Sequence, residues 1–98
     1  MRYGAKMKLI ELVQDLDALD EQSTIYASQP WTETSEAIVA HEPEAGGTPA
    51  EAKRLGLKYF LEIFIAREFI EGWMANFDTQ PTLQQKCARL IQYAANDA

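Results

Sequence analysis

The chain has 98 residues, 47% of them hydrophobic and 24% charged, with a formal net charge of −6; this is one modest core and little room for a second. One cysteine, Cys87, excludes an internal disulfide and a cysteine-based zinc site and agrees with a reducing compartment. The densest apolar stretch, "LKYFLEIFIAREFIEGWM", is interrupted by Lys58, Glu62, Arg67, Glu68 and Glu71, which excludes a membrane span, and the N-terminus lacks the apolar run of a signal peptide, so a cytoplasmic location is expected.

"MRYGAK" reads as a disordered arm, an upstream start or a cloning remnant covering residues 1–6, with one α+β domain expected over 7–98. From residue 8 to 19, Leu9, Leu12, Val13, Leu16 and Leu19 recur at 3- and 4-residue spacing and predict an amphipathic first helix. "STIYAS" (23–28) and "EAIVAH" (36–41) carry β-branched or aromatic centres and predict two strands, joined by a turn at Pro30 that holds Trp31. "EPEAGG" follows as a loop. In "TPAEAKRLG", Thr48 as N-cap, Pro49 at the first helical position, Glu51 at the capping-box position and Gly56 as a stop predict a two-turn helix.

The next stretch supports two readings. Leu57, Tyr59, Leu61 and Ile63 alternate with Lys58, Phe60 and Glu62, as in a strand, whereas Ile63, Ala66, Ile70, Trp73 and Phe77 keep helical spacing. Aromatic and β-branched enrichment after a glycine favours a strand over 57–63 and a helix over 65–77; the alternative is a mostly α protein with one long helix from about residue 50 to 77. After "DTQP", Thr82 and Gln85 open a last helix whose buried stripe is Leu83, Cys87, Leu90, Ile91 and Ala94. The expected architecture is therefore α+β, in the order α-β-β-(short α)-β-α-α, with a small three-stranded, mainly antiparallel sheet and helices layered on one face.

Charge is placed unevenly along this plan. Residues 1–51 hold ten acids against Arg2, Lys6 and Lys8, a balance of −7; residues 52–98 hold five acids against six bases, a balance of +1. Nucleic acid is excluded as a direct ligand, because phosphate contacts need clustered Lys and Arg. A protein partner with a basic surface fits better.

Catalytic chemistry finds little footing. His41, the only histidine, would have to act as base or metal ligand without a second imidazole. Cys87 lies on the apolar stripe of the last helix, where a free cysteine is a small inert hydrophobe. Gly46-Gly47 lacks the strand-loop-helix phosphate signature, and Glu62, Arg67 and Glu68 form a polar group where strand meets helix. No catalytic residue, cofactor site or metal site is expected.

The anomaly lies in "LVQDLDALDEQ". Asp15, Asp17, Asp20 and Glu21 gather at the carbonyl end of the first helix, which prefers cations, while Lys6 and Lys8 sit at its positive end. Local rules broken without visible compensation are places to look for function, and a basic ligand would supply the compensation; so would Lys53, Arg54 or Arg89 from elsewhere in the fold. Trp31, in a rigid turn just ahead of the carboxylates Glu33 and Glu36, is either an interface anchor or a cover folded back over a sheet edge. Trp73, on a helical stripe, belongs to the core.

"GLKYFLEIFIAREFIEGW", "QPTLQQKCARLIQYAANDA" and "TIYASQPW" resemble the pattern of a family of small, acidic, uncharacterised bacterial proteins, with no assigned activity, over nearly the whole chain from Met7. The resemblance implies a bacterial, stand-alone, cytoplasmic domain and carries over no site residue. The expectation is a non-enzymatic binding module of immunity, antitoxin or regulatory type, using Asp15, Asp17, Asp20, Glu21, Trp31, Glu33 and Glu36. The alternatives are a homodimer formed through exposed aromatics of 57–77 and, more weakly, a small enzyme using Tyr59, Glu62 or His41.

Overall fold

The computed structural model describes residues 6–97. The expected N-terminal arm falls outside them except for Lys6. The elements are β1 (Met7–Lys8), α1 (Leu9–Gln14), a 3-10 turn (Leu16–Ala18), β2 (Thr24–Ala27), β3 (Glu36–Ala40), α2 (Ala50–Leu55), β4 (Lys58–Glu62), α3 (Ile63–Met74) and α4 (Leu83–Asp97). The α+β class holds, and the long helix from residue 50 does not form.

Four strands, not three, make the sheet, in the order β1-β3-β2-β4 and antiparallel throughout. The extra strand is the two-residue β1, which pairs Met7 with Ala37 and Lys8 with Glu36. Two residues give no alternating pattern to read, which is why the sequence hides it. The first helix is also shorter than its apolar stripe suggested, because Leu16 and Leu19 reach the core through the 3-10 turn and the residue after it. Both segments meet the stripe's spacing, since a 3-10 turn also returns side chains to one side every three residues.

The sheet is buried on both faces, which corrects the expectation of helices on one face only. Ile25, Ala27, Ala37 and Val39 face the main core, where α1, α3 and α4 contribute Leu9, Leu12, Ile63, Ala66, Leu90 and Ala94. Tyr26 and Ile38 face the other way and are covered by Ala52 of α2 and by Leu57. Four consecutive buried residues in β2, "TIYA", are the signature of such a doubly covered strand.

β4 departs from simple alternation. Tyr26 pairs with Tyr59 and Ile25 with Leu61, so Phe60 is an extra residue, a β-bulge. The bulge turns Phe60 and Leu61 together into the main core while Tyr59 stays on the α2 side, 40% exposed.

Local signals explain the helix ends. Glu11 Oε1 accepts the Lys8 backbone N–H at 2.8 Å, so this acid stabilises the N-terminus of α1 instead of repelling Asp15 across the solvent face. Thr48 does not cap α2: the N-cap is Pro49, whose carbonyl takes the Lys53 N–H at 3.0 Å, and Glu51 pairs with Arg54 instead of reaching back. Gly56 ends α2 with φ 73°, and the Leu57 N–H returns to the Ala52 carbonyl at 2.8 Å, a left-handed stop that favours glycine. Thr82 and Gln85 form the expected reciprocal box at α4, at 2.8 and 3.1 Å.

Candidate functional site

Antiparallel pairing of β2 with both β3 and β4 decides which acids meet. Thr24 faces Ala40 on one side and Glu62 on the other, so the residues just before β2 lie beside those just after β3 and at the end of β4. Asp20, Glu21 and Gln22 are thus brought to His41, Glu42 and Glu62, with Glu68 one turn into α3. Two neighbouring concavities record this. One, of about 370 Å³, is lined by Glu21, Gln22, Glu62, Phe64 and Glu68. The other, of about 360 Å³, is lined by Gln22, Thr24, His41, Glu42 and Glu62, and Gln22 and Glu62 belong to both.

One guanidinium and one imidazole answer these acids. Arg67 of α3 holds its Nε 3.7 Å from Asp17 Oδ1 and its Nη1 4.0 Å from Glu21 Oε2, and His41 Nε2 lies 3.0 Å from Asp20 Oδ2. Of Lys53, Arg54 and Arg89, expected from sequence in this role, Arg54 pairs with Glu51, Arg89 lies over the Phe69 ring, and Lys53 forms no ion pair with these acids among the described residues. Asp20 also accepts the Gln22 backbone N–H through Oδ1 at 2.9 Å, so it shapes the turn into β2 as well as contributing charge. Asp15, exposed, occupies the junction between α1 and the 3-10 turn.

The Trp31 group is at the other end of the sheet. Ala27 closes β2 there, and the turn that follows folds Trp31 back: its Nε1 donates to the Ala27 carbonyl at 3.2 Å and its ring meets Phe60 edge-on, with centroids 4.9 Å apart. Glu33 is exposed, and its backbone carbonyl accepts the Ile10 N–H at 3.0 Å. Glu36 pairs with Lys6 at 3.6 Å beside β1. The seven residues picked from sequence therefore form two groups separated by the length of β2. Glu42, Glu62 and Glu68 were missing from that selection; the hairpin register would have found Glu42, since pairing 24 with 40 sets 42 across from 22.

Tyr59 and Glu62, two residues of the enzymatic alternative, do come together. Burial and the neighbouring Glu62 raise the Tyr59 phenol above its usual range, and burial and Glu42 do the same to Tyr26. Both phenols stay protonated and neutral at physiological pH, and neither serves as a base. The His41–Asp20 pair has the orientation of a base and its carboxylate partner, but both side chains are well exposed, 61% and 37%, and lack the desolvated setting that strengthens such a pair. Cys87 is fully buried and its thiol is pushed up to about 11, by burial first and by Glu33 second. Among the described residues no group of three or more His, Cys, Asp or Glu is placed to hold a metal ion. Nor is any described helix long and apolar enough to cross a membrane.

Comparison with known proteins finds no match, whether to a protein family, to a curated protein sequence or to a solved structure.

Proposed function

We propose that this protein is a non-enzymatic, cytoplasmic binding module, of immunity, antitoxin or regulatory type, that docks a basic protein through the acidic end of its sheet. One observation carries the reading: Glu21, Glu42, Glu62 and Glu68 converge on two adjoining concavities, where the surrounding acids meet the Arg67 guanidinium and the His41 imidazole. Such a surface favours a positively charged partner and repels phosphate backbones. Trp31 does not take part in this surface, because it lies at the far end of β2.

The test is affinity capture from the native host with wild-type protein and with a Glu21→Gln, Glu62→Gln, Glu68→Gln variant. A basic protein retained by wild type, released by salt and lost with the triple variant supports the reading. Equal retention of the same protein by both overturns it. A second reading, self-association, draws on the exposure of Tyr59, Phe64 and Phe77, at 40%, 42% and 48%. Sedimentation equilibrium separates the two, since a dimer that persists in the triple variant and dissociates on Phe64→Asp would favour this reading.

A further inference from the structure

A further concavity is remote from the acidic end. It lies between the end of α3 and the start of α4, has a volume of about 630 Å³, and is lined by Trp73, Phe77, Pro81, Ala88, Arg89 and Gln92 among others. That size falls in the range of about 300–1,000 Å³ in which small-molecule sites occur. Its wall is aromatic: Trp73 and Phe77 meet edge-on with centroids 5.0 Å apart, and Phe77 remains 48% exposed. Trp73 packs against the main core while staying only half-buried, and Phe77 lies outside the core.

The charge at this groove runs against the rest of the molecule. In a chain of net charge −6, Arg89 is the one charged residue among those lining it, and no carboxylate lines it. The guanidinium is held in place. Its Cζ lies 5.0 Å above the Phe69 ring, which is stacked on Tyr93 with centroids 4.1 Å apart, and its Nη1 donates to Gln92 Oε1 at 3.1 Å. That amide takes one of five N–H donors, and no acid among the described residues forms an ion pair with Arg89. A planar fork held over an aromatic ring, with N–H donors to spare, suits two-point contact with a carboxylate.

We propose that this groove binds a small aromatic or alkyl carboxylate, its apolar body against Trp73 and Phe77 and its carboxylate on Arg89. A purely apolar ligand would leave the cation unanswered, and an amine would be repelled by it. A second copy placed across a twofold axis would bring the same groove, and the same unpaired arginine, face to face. The acids of the proposed docking surface play no part, so either idea can fail alone.

The probes are 1-naphthoate and its uncharged counterpart 1-naphthalenemethanol, titrated at neutral pH and followed by isothermal calorimetry and by backbone amide shifts. Naphthoate is expected to bind at least tenfold more tightly than the alcohol, to shift amides of residues 73–92, and to lose that preference in Arg89→Gln. Phe77→Ala should weaken both probes, and Arg89→Lys, which keeps the charge without the fork, should retain part of the preference. No saturable binding up to millimolar probe, equal affinity for the two probes, or a preference that survives Arg89→Gln would overturn the proposal. So would a wild-type dimer that Phe77→Asp dissociates, because the groove would then belong to a second copy.

Discussion

Arg67, on the second turn of α3, holds its Nε 3.7 Å from Asp17 Oδ1, so the cation missing from the end of the first helix comes from a different helix. The contact is wet: the Asp17 side chain is 97% exposed and Arg67 33%. An exposed pair of this length contributes about 0–1 kcal/mol and less as salt rises. Asp17→Asn is therefore expected to change stability by less than about 0.5 kcal/mol. Arg67→Gln removes the answer to both Asp17 and Glu21 and strips packing from a half-buried stem, at a cost of about 1 kcal/mol. Urea denaturation of the two variants at low and moderate salt checks the ranking; a larger loss for Asp17→Asn than for Arg67→Gln would show that the acid is held by something other than this guanidinium.

Trp31 is fastened twice, by its indole N–H to Ala27 and by its ring edge on Phe60. Trp31→Ala should destabilise the protein by about 2–4 kcal/mol, toward the lower end for a side chain that is only half-buried. Trp31→Phe keeps most of the ring contact and loses the hydrogen bond, a cost of about 1 kcal/mol. In a Trp73→Phe background the remaining indole should emit to the blue of free tryptophan and resist acrylamide more than a solvated indole does. A red, freely quenched emission with no stability loss in Trp31→Ala would show that the side chain swings out in solution.

Cys87 gives the pH dependence. Its thiol stands at about 11 in the folded protein against an ordinary 9.0, so the folded state holds the proton more tightly than the unfolded chain. The resulting stability is complete below pH 9 and is lost as pH rises toward 11, where the folded thiol also ionises. A shift of this size corresponds to roughly 2–3 kcal/mol. Thermal stability should therefore fall steeply between pH 9 and 11, with the raised Tyr26 and Tyr59 phenols adding to the loss above pH 10, and Cys87→Ala should reduce the slope that begins at pH 9 while lowering stability at neutral pH through the small cavity it leaves. Alkylation by iodoacetamide at pH 8 should be slow until urea unfolds the protein. Rapid alkylation of the native state would contradict both the burial and the slope.

Much of this was readable in the residues, and what was not has identifiable causes. The α4 stripe, the Thr82–Gln85 box and the Gly56 stop are local patterns with local physics, and the structure honours them, whereas the α3 stripe holds only to Trp73: the helix ends at Met74, not residue 77, and Phe77 beyond it is 48% exposed. Trp73 packs against the main core as its stripe implies, but only half-buried, with part of its ring lining the groove. The joining of Glu21 with Glu42, Glu62 and Glu68 depends on strand register, which no single segment encodes. The separation of Trp31 from those acids follows from the same register: they lie at the Thr24 end of β2 and the tryptophan at the Ala27 end.

Alternation in "LKYFLEI" puts Tyr59 on the side of Leu61 and Ile63 and Phe60 with Lys58 and Glu62, and the bulge reverses the part that matters. Phe60 is fully buried among main-core residues and supports the Trp31 ring, whereas Tyr59 sits on the α2 side with two-fifths of its surface exposed. The two neighbours should therefore respond very differently to truncation. Phe60→Ala removes a wholly enclosed ring and should cost about 3–5 kcal/mol. Tyr59→Ala loses an edge contact with Tyr26, whose ring centroid is 6.5 Å away, and should cost about 1 kcal/mol. Chemical denaturation of each variant, with matched slopes to confirm two-state unfolding, gives the comparison directly. Equal losses, or a larger loss at Tyr59, would mean that β4 runs in regular alternation and that Phe60 does not turn inward beside Leu61.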